Sequence, residues 1–274
     1  MDEITLLLGG LGGGGDVGLA LILAQALGLK PEEMVIASFI RCSVDKDKLK
    51  DLRVEGSLIK VPPSYFAERR MFEDKLHLVE PRLGDRVYAI CTRDQWSMMT
   101  MGLTHRLDKY KPKCMINTDL GGDDVLLGYE ENLGSFATDT VAKALLYWAA
   151  REHGVRTLIA SGCTGCEGGG RELSEEWLAA SLLYTDNQDA LVGVLEPPSN
   201  GARVAGKLLG HAESGMLPYY LVALRGEETA RIKMAYLSGE YQVMAMVQVR
   251  LHTRRGEALQ HIPTMQGDGG GYMG

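Results

Sequence analysis

The chain has 274 residues, of which 45% are hydrophobic and 24% are charged, a composition typical of a soluble globular protein. Its formal net charge of −7 argues against a nucleic-acid partner, because contacts with phosphates need clustered Lys and Arg side chains. No apolar run approaches the roughly twenty residues of a membrane span, and the first residues are acidic, unlike the basic start of a signal peptide. We therefore expect a cytoplasmic protein that contacts neither nucleic acid nor membrane.

Apolar runs and helical patterns alternate along the chain. Apolar runs predict strands at 4–8, 34–40, 86–91, 114–118, 156–161 and 190–195, of which the first two lack one-sided alternation and are expected to be buried on both faces. A short edge strand is predicted at 58–61. Helical spacing of apolar residues predicts helices from 16 to about 28, at 94–109, at 138–152 and at 174–184. Strands that alternate with helices indicate an α/β fold with a mostly parallel sheet covered on both faces.

The last third of the chain is predicted to be less regular. A helix near 203–213, an apolar segment at 217–224 and a β-like segment at 241–251 are expected there. The glycine-rich tail at 267–274 is predicted to be flexible, or to act as a lid if a ligand orders it. No linker divides the chain, so we expect a single α/β domain over residues 1–274.

Three segments that follow predicted strands have an unusual composition. They are 9–16, which is rich in glycine, 119–124 with its extension to 139, which is rich in acidic residues, and 162–171, which contains both residue types. In a parallel sheet such segments emerge at the carboxyl ends of the strands, where ligands bind. We therefore expect these three segments to share one ligand-binding cleft.

The first segment has the composition of an anion-binding loop. Six of the seven residues from Gly9 to Gly15 are glycine, which lets a ligand approach the backbone amides, and the following helix presents its positive end. The ligand contacts predicted here are Gly12, Gly13, Gly14, Gly15 and Asp16. For Asp16 the favoured interpretation is an N-cap of the helix, and the alternative is contact with a ribose, an amine or a metal-bound water.

The first segment also matches the dinucleotide-binding pattern G-x-G-x-x-G at Gly10, Gly12 and Gly15, between a strand and a helix as that pattern requires. Two features weaken this interpretation. The Asp16 carboxylate would repel a pyrophosphate, and the second strand is followed by Arg41 instead of the expected acidic residue. NAD(P) is therefore a less favoured cofactor than a divalent cation.

The second segment is the most acidic part of the chain. Carboxylates held close together need a divalent cation or a raised pKa, because they repel one another. Predicted catalytic residues are Asp119, Asp123 and Asp139, and predicted metal ligands are Asp119, Asp123 and Glu131, with Gly121 and Gly122 contacting the ligand. Oxygen ligands favour Mg²⁺ or Mn²⁺ over zinc. The alternative for Asp123, Asp124 and Glu130 is that they are solvated loop charges.

The third segment contains Cys163-Thr164-Gly165-Cys166 between a strand and a predicted helix. Its predicted ligand contacts are Gly162, Glu167 and Arg171. A C-x-x-C pair can be a redox dithiol, but here Glu167 and three glycines separate it from the helix, so a role in lining the loop is favoured. The odd count of five cysteines is typical of reduced thiols.

Several of these residues carry a resemblance to a known family. They are Gly12-Gly13-Gly14-Gly15-Asp16-Val17, Asp119-x-Gly121-Gly122-Asp123, Glu131-x-Leu133 and Ser135-x-x-x-Asp139. In them the chain resembles an uncharacterised, mainly archaeal family of unknown function, DUF1152. The resemblance implies a Rossmann-like α/β fold, a three-layer sandwich, without an assigned activity. It also implies an Asp-Gly-Glu-Leu-like run in the third segment, which residues 167–173 match imperfectly.

The function favoured by these patterns is an enzyme acting on a small phosphorylated or ribosyl-containing metabolite. Glycine amides would hold the anionic group, while carboxylates, with a divalent cation, would activate water or a hydroxyl for hydrolysis or group transfer. An NAD(P)- or flavin-dependent oxidoreductase is the first alternative. A non-catalytic nucleotide-binding sensor or assembly subunit, possible as a homo-oligomer, is the second.

Overall fold

The computed structural model describes residues 6–10, 14–40, 52–61, 76–77, 79–92, 94–121, 136–164, 191–210, 216–227, 229–233, 238–242 and 248–252. Its helices are α1 (Gly14–Ala26), α2 (Trp96–Tyr110), α3 (Phe136–His153), α4 (Gly201–Leu209) and α5 (Leu217–Leu224). Its strands are β1 (Leu6–Gly10), β2 (Met34–Ile40), β3 (Arg53–Glu55), β4 (Leu58–Lys60), β5 (Val87–Cys91), β6 (Cys114–Leu120), β7 (Arg156–Gly162), β8 (Leu191–Leu195), β9 (Thr229–Lys233), β10 (Ser238–Gln242) and β11 (Val249–His252). The predicted mixture of helices and strands is confirmed.

Within these ranges nine strands form one sheet in the order β3-β4-β5-β2-β1-β6-β7-β11-β8, and β9 and β10 form a separate pair. The five strands from β5 to β7 are parallel to one another. The flanking strands pair in antiparallel fashion, β3 with β4 and β4 with β5 on one side, and β11 with β7 and β8 on the other. The sheet is therefore mixed, and its parallel part is confined to the centre.

Side chains of the central strands enter two hydrophobic clusters. Val35, Ala37 and Phe39 of β2 pack in one cluster with apolar residues of α2 and α3. Met34 and Ile36 pack in the other, with α1, α4 and α5. Since successive side chains of a strand point to opposite faces, the central sheet is buried on both faces. This explains why its strands lack alternation between apolar and polar residues.

The start of the chain differs from the prediction. Gly9 and Gly10 belong to β1, because their backbone pairs with β2 on one side and β6 on the other, and this pairing extends the strand past the predicted end at residue 8. Helix α1 begins at Gly14, so Asp16 lies within its first turn. The prediction that Asp16 is the N-cap is therefore wrong.

Several other predicted elements differ from the structure or lie outside its described residues. The strand β3 was not predicted, since three residues carry too little pattern, and the segment 217–224 forms helix α5. The helix predicted at 174–184 and the tail at 267–274 lie outside the described residues. None of the helices in the described ranges is long and apolar enough to cross a membrane.

The hairpin of β3 and β4 packs closely on α2 at Gly102. A Cβ atom at this position would lie 2.9 Å from the backbone nitrogen of Leu58 and 3.1 Å from the carbonyl oxygen of Glu55. Replacing Gly102 with Ala is therefore expected to lower the free energy of unfolding by about 2 kcal/mol, as overpacking of a well-packed site does. Urea unfolding followed by far-UV circular dichroism measures this change.

The matched control is Gly206→Ala in α4, also a helical glycine, where a Cβ would meet no atom closer than 4.0 Å. This variant should be as stable as the wild type or slightly more so, because alanine restricts the unfolded chain. Equal stability of the two variants would show that the hairpin moves away from α2 at no cost.

Candidate functional site

The carboxyl ends of β1, β6 and β7 lie at one edge of the sheet. β6 is parallel to both β1 and β7 and pairs with each along most or all of its length. The three segments that the sequence singled out therefore leave the sheet from the same edge, after Gly10, Leu120 and Gly162. The chain passes from β1 to β2 on one side and later to β6 on the other, so the strand order reverses at β1. Such a reversal leaves a crevice between neighbouring strand ends, here those of β1 and β6.

Asp16 connects the first turn of α1 to the end of β6. Its carboxylate oxygen Oδ1 accepts a hydrogen bond from the backbone nitrogen of Leu120 at 2.8 Å. The hydroxyl of Thr118 donates to the backbone oxygen of Asp16, also at 2.8 Å. The Asp16 residue is only 6% exposed. These bonds fix the beginning of α1 beside the β1–β6 crevice, a structural role in addition to the predicted ligand contact.

Two of the glycines predicted to contact a ligand have packing roles. Gly121, with φ of +132°, turns the chain after β6, and its backbone nitrogen donates to the carbonyl oxygen of Gly162 at 3.0 Å. A Cβ at Gly162 would lie 2.8 Å from Cδ1 of Leu19 in α1. Gly162 thus lets α1 and β7 approach closely and Gly121 provides the turn after β6, while their contact with a ligand stays a prediction.

A polar group lies on the face of the sheet opposite α1. Met115 of β6 belongs to the cluster with α2 and α3, so Asn117 and Asp119, two and four residues later, point to that same face. Asp119 is paired in register with Ser161 of β7. Asn117 and Ser161 are 0% exposed and Asp119 is 2% exposed. The edge therefore carries a buried carboxylate flanked by a hydroxyl and an amide.

Sequence reasoning selected Asp119 but missed Asn117 and Ser161. The available signal was the occurrence of polar residues at alternate positions of two strands that are otherwise apolar. The sequence does not show that these two strands are neighbours, so it could not indicate that their polar side chains lie together.

Three buried polar residues near the carboxyl ends of β1, β2 and β7 have side-chain atoms without a hydrogen-bond partner in the part of the chain that the structure describes. For Asn117 this holds for both Oδ1 and Nδ2, and for Ser38 and Thr164 it holds for the hydroxyl oxygen. Ser38 is paired in register with Gly10 and Asn117 with Gly9, and Thr164 follows the end of β7. Ser38 lies on the face of the sheet that packs against α1, and Asn117 lies on the face that packs against α2 and α3. Buried polar groups are nearly always hydrogen-bonded, so the unpartnered amide of Asn117 marks a place where a bound molecule can supply the missing bonds.

A comparison with protein families adds the identity of the chain. The model of the family described as "Protein of unknown function (DUF1152)" matches residues 7–253. The chain belongs to this family. No curated protein and no solved structure matches it. The matched range runs from β1 to just past β11 and includes all three segments at the carboxyl edge, so the candidate site lies in the part of the chain that defines the family.

The family description names no activity, so the predicted site residues are compared with the structure by their positions in the fold. Gly14 and Gly15 begin α1, and Asp139 is the fourth residue of α3, whose first turn follows β6. The remaining predicted contacts and ligands lie outside the described residues: Gly12, Gly13, Gly122, Asp123, Glu131, Glu167 and Arg171. Among the described residues no three His, Cys, Asp or Glu side chains form a group that could hold a metal ion. The Mg²⁺ or Mn²⁺ site at Asp119, Asp123 and Glu131 stays a prediction.

The cysteines of this family member differ from the expectation of reduced thiols. Cys91 and Cys163 are disulfide-bonded, and Cys114 is free. Burial raises the pKa of the Cys114 thiol to about 11, so it is protonated and unreactive near neutral pH. Cys163 follows β7 directly and has a positive φ of 56°, so the predicted C-x-x-C motif begins at a sharp turn beside the site.

Proposed function

We propose that this protein is an enzyme that binds a small phosphorylated or ribosyl-containing metabolite at the carboxyl edge of its parallel strands and catalyses hydrolysis or group transfer with carboxylate assistance. One observation carries the proposal: the buried carboxylate of Asp119 and the unpartnered amide of Asn117 lie on β6, beside the strand end from which the glycine-rich segment departs. The strand order β5-β2-β1-β6-β7 supports a Rossmann-like arrangement, a three-layer sandwich in which this edge is the ligand side.

The anionic end of the metabolite is assigned to the start of α1. Backbone amides at a helix N-terminus bind phosphate through their hydrogen bonds and the positive end of the helix dipole. The Asp16 carboxylate lies in this first turn, but a backbone amide of β6 occupies its Oδ1. This hydrogen bond neutralises part of the negative charge of the Asp16 carboxylate, so the carboxylate repels a phosphate at the start of α1 less strongly.

The reacting end of the metabolite is assigned to Asp119. A carboxylate held in a buried site at a strand end can accept a proton from water or a hydroxyl. A Mg²⁺ or Mn²⁺ ion bound with Asp123 and Glu131 would lower the pKa of that water and stabilise the charge that develops on the leaving group. Gly9 and Gly10 at the end of β1 place no side chains beside Asn117 and Thr118, the residues that precede Asp119.

A melting-temperature screen tests this proposal. Nucleotides, nucleosides and sugar phosphates are each added with and without Mg²⁺, and compounds that bind are incubated with the protein and analysed for products by mass spectrometry. A ligand at one hundred times its dissociation constant stabilises the folded state by about 2.7 kcal/mol, which is a readily measured shift. No shift with any phosphorylated or ribosyl compound would overturn the proposal.

A second candidate is an NAD(P)- or flavin-dependent oxidoreductase. The reversal of strand order at β1, next to a strand that ends in two glycines, favours it because dinucleotides bind at such a crevice. NAD, NADP and FAD in the same screen separate the two candidates. Tight binding of a nucleotide without turnover would instead indicate a non-catalytic sensor, for which light scattering would report whether the protein is a homo-oligomer.

A further inference from the structure

Asn117 is a buried side chain whose amide forms no hydrogen bond within the described part of the chain. It is 0% exposed, and neither Oδ1 nor Nδ2 has a hydrogen-bond partner within the described residues. A buried amide without partners destabilises a fold, and an apolar side chain of the same size would remove that cost. The position of Asn117 in the middle of β6 therefore calls for a role that packing does not provide.

The neighbours of Asn117 toward β1 are small residues. Its register neighbour in β1 is Gly9, and the next residue across the sheet is Ala37 of β2. Ala37 belongs to the cluster with α2 and α3, so all three positions share one face. Asn117 is thus directly beside Gly9, and Ala37 follows one strand further across the sheet.

The distance of Asn117 from the carboxyl edge of the sheet sets the minimum length of a molecule that could reach it from that edge. Asp119 lies two residues nearer to the carboxyl edge, which is about 7 Å along a strand, and the end of β6 at Leu120 lies about 10 Å away. Helix α1 packs on the other face of the sheet, so a molecule with its phosphate at the first turn of α1 would cross the strand ends to place a sugar at Asp119, and Asn117 would lie beyond that sugar. A sugar phosphate is too short to fill that place.

We propose that the side-chain amide of Asn117 binds the base of a nucleotide, so that the ligand of the site is a nucleotide and not a simple sugar phosphate. An asparagine amide presents one acceptor and one donor side by side. Nucleobases present the complementary donor and acceptor on their edges, and asparagine pairs with adenine through two hydrogen bonds in this way. The inference rests on the proposed function, since it assumes that a phosphorylated or ribosyl ligand occupies the carboxyl edge.

Affinities measured by isothermal titration calorimetry test the inference. The probes are AMP, GMP, CMP, UMP and ribose 5-phosphate, each with Mg²⁺. The wild-type protein should bind at least one of the nucleotides about ten-fold or more tightly than ribose 5-phosphate, as expected for one amide–base pair. In Asn117→Leu this preference should disappear, while the affinity for ribose 5-phosphate stays unchanged.

Thr157→Val is the matched control. Thr157 lies on β7, paired in register with Met115, and its hydroxyl is also buried without a partner, but it is distant from the carboxyl edge. Both substitutions remove an unpartnered polar group, so both unliganded variants should melt at or above the temperature of the wild type. Only Asn117→Leu should lose the preference for the nucleotide. If Asn117→Leu does not fold, Asn117→Ala is measured in its place.

The outcomes separate this inference from the proposed function. Equal binding of nucleotides and ribose 5-phosphate by the wild type would overturn the role of Asn117 and leave the proposed function standing. A nucleotide preference that persists in the Asn117 variants would likewise overturn the role of Asn117 without affecting the proposed function. Failure of all five probes to bind would overturn the role of Asn117, and the proposed function would fall as well only if no phosphorylated or ribosyl compound of the melting screen bound.

Discussion

Replacing Asp119 with Asn is expected to lower the turnover number for the compound found by the melting screen by about 10²- to 10⁴-fold, the usual contribution of a positioned general acid or base. Asn has nearly the same shape as Asp but cannot accept the proton in the transition state. Because that interaction is made in the transition state, kcat and kcat/KM should fall together while KM changes little. Steady-state kinetics with product detection measures the effect.

The control for this prediction is Asp85→Asn. Asp85 is an exposed carboxylate that forms an ion pair with Lys60 at 2.7 Å, just before the amino end of β5, and therefore at the edge opposite the candidate site. Its substitution should leave turnover unchanged. Wild-type turnover in Asp119→Asn, with a folded protein by circular dichroism, would remove Asp119 from the chemistry.

Replacing Asp16 with Ala is expected to lower the free energy of unfolding by about 3 kcal/mol. The substitution removes a hydrogen bond to a charged group and leaves the buried backbone N–H of Leu120 without its acceptor, and both effects are costly. For a chain of this length the melting temperature should fall by about 6 °C. Differential scanning calorimetry measures both quantities.

The conservative variant Asp16→Asn separates the hydrogen bond from the charge. Its amide oxygen can still accept from Leu120, so the loss should be about 1 kcal/mol, the net value of a neutral hydrogen bond. If alanine and asparagine destabilise equally, the charge of Asp16 and not its bond to β6 supports the fold, and the connection between α1 and β6 is of minor importance.

The elements of the core could be predicted because each is long and has a clear pattern. The strand at 34–40 was predicted with the bounds of β2, and the helices at 94–109 and 138–152 differ from α2 and α3 by one or two residues at each end. The three-residue strand β3 and the antiparallel direction of β11 could not be predicted, since short strands carry little periodicity and direction depends on the connection.

The candidate site was only partly accessible to sequence reasoning. Asp119 follows a buried strand, and this position identified it. Asn117 looked like one polar residue within that strand, and its lack of partners depends on Gly9 and Ala37, which lie about eighty or more positions away in the sequence. Asp16 was predicted to be the N-cap of its own helix. Its carboxylate instead accepts a hydrogen bond from Leu120 of β6, a contact between segments about a hundred residues apart that no local pattern indicates.

The sequence by itself determined that buried strands alternate with helices and that glycine and acidic residues follow three of those strands, because these features depend on local periodicity and composition. Only the tertiary structure decided that β1, β6 and β7 are neighbours, that Asp16 bonds to the backbone of β6, and that the buried amide of Asn117 has no hydrogen-bond partner in the described part of the chain. Strand order and hydrogen bonding between distant segments arise from packing of the whole chain, which no local pattern encodes.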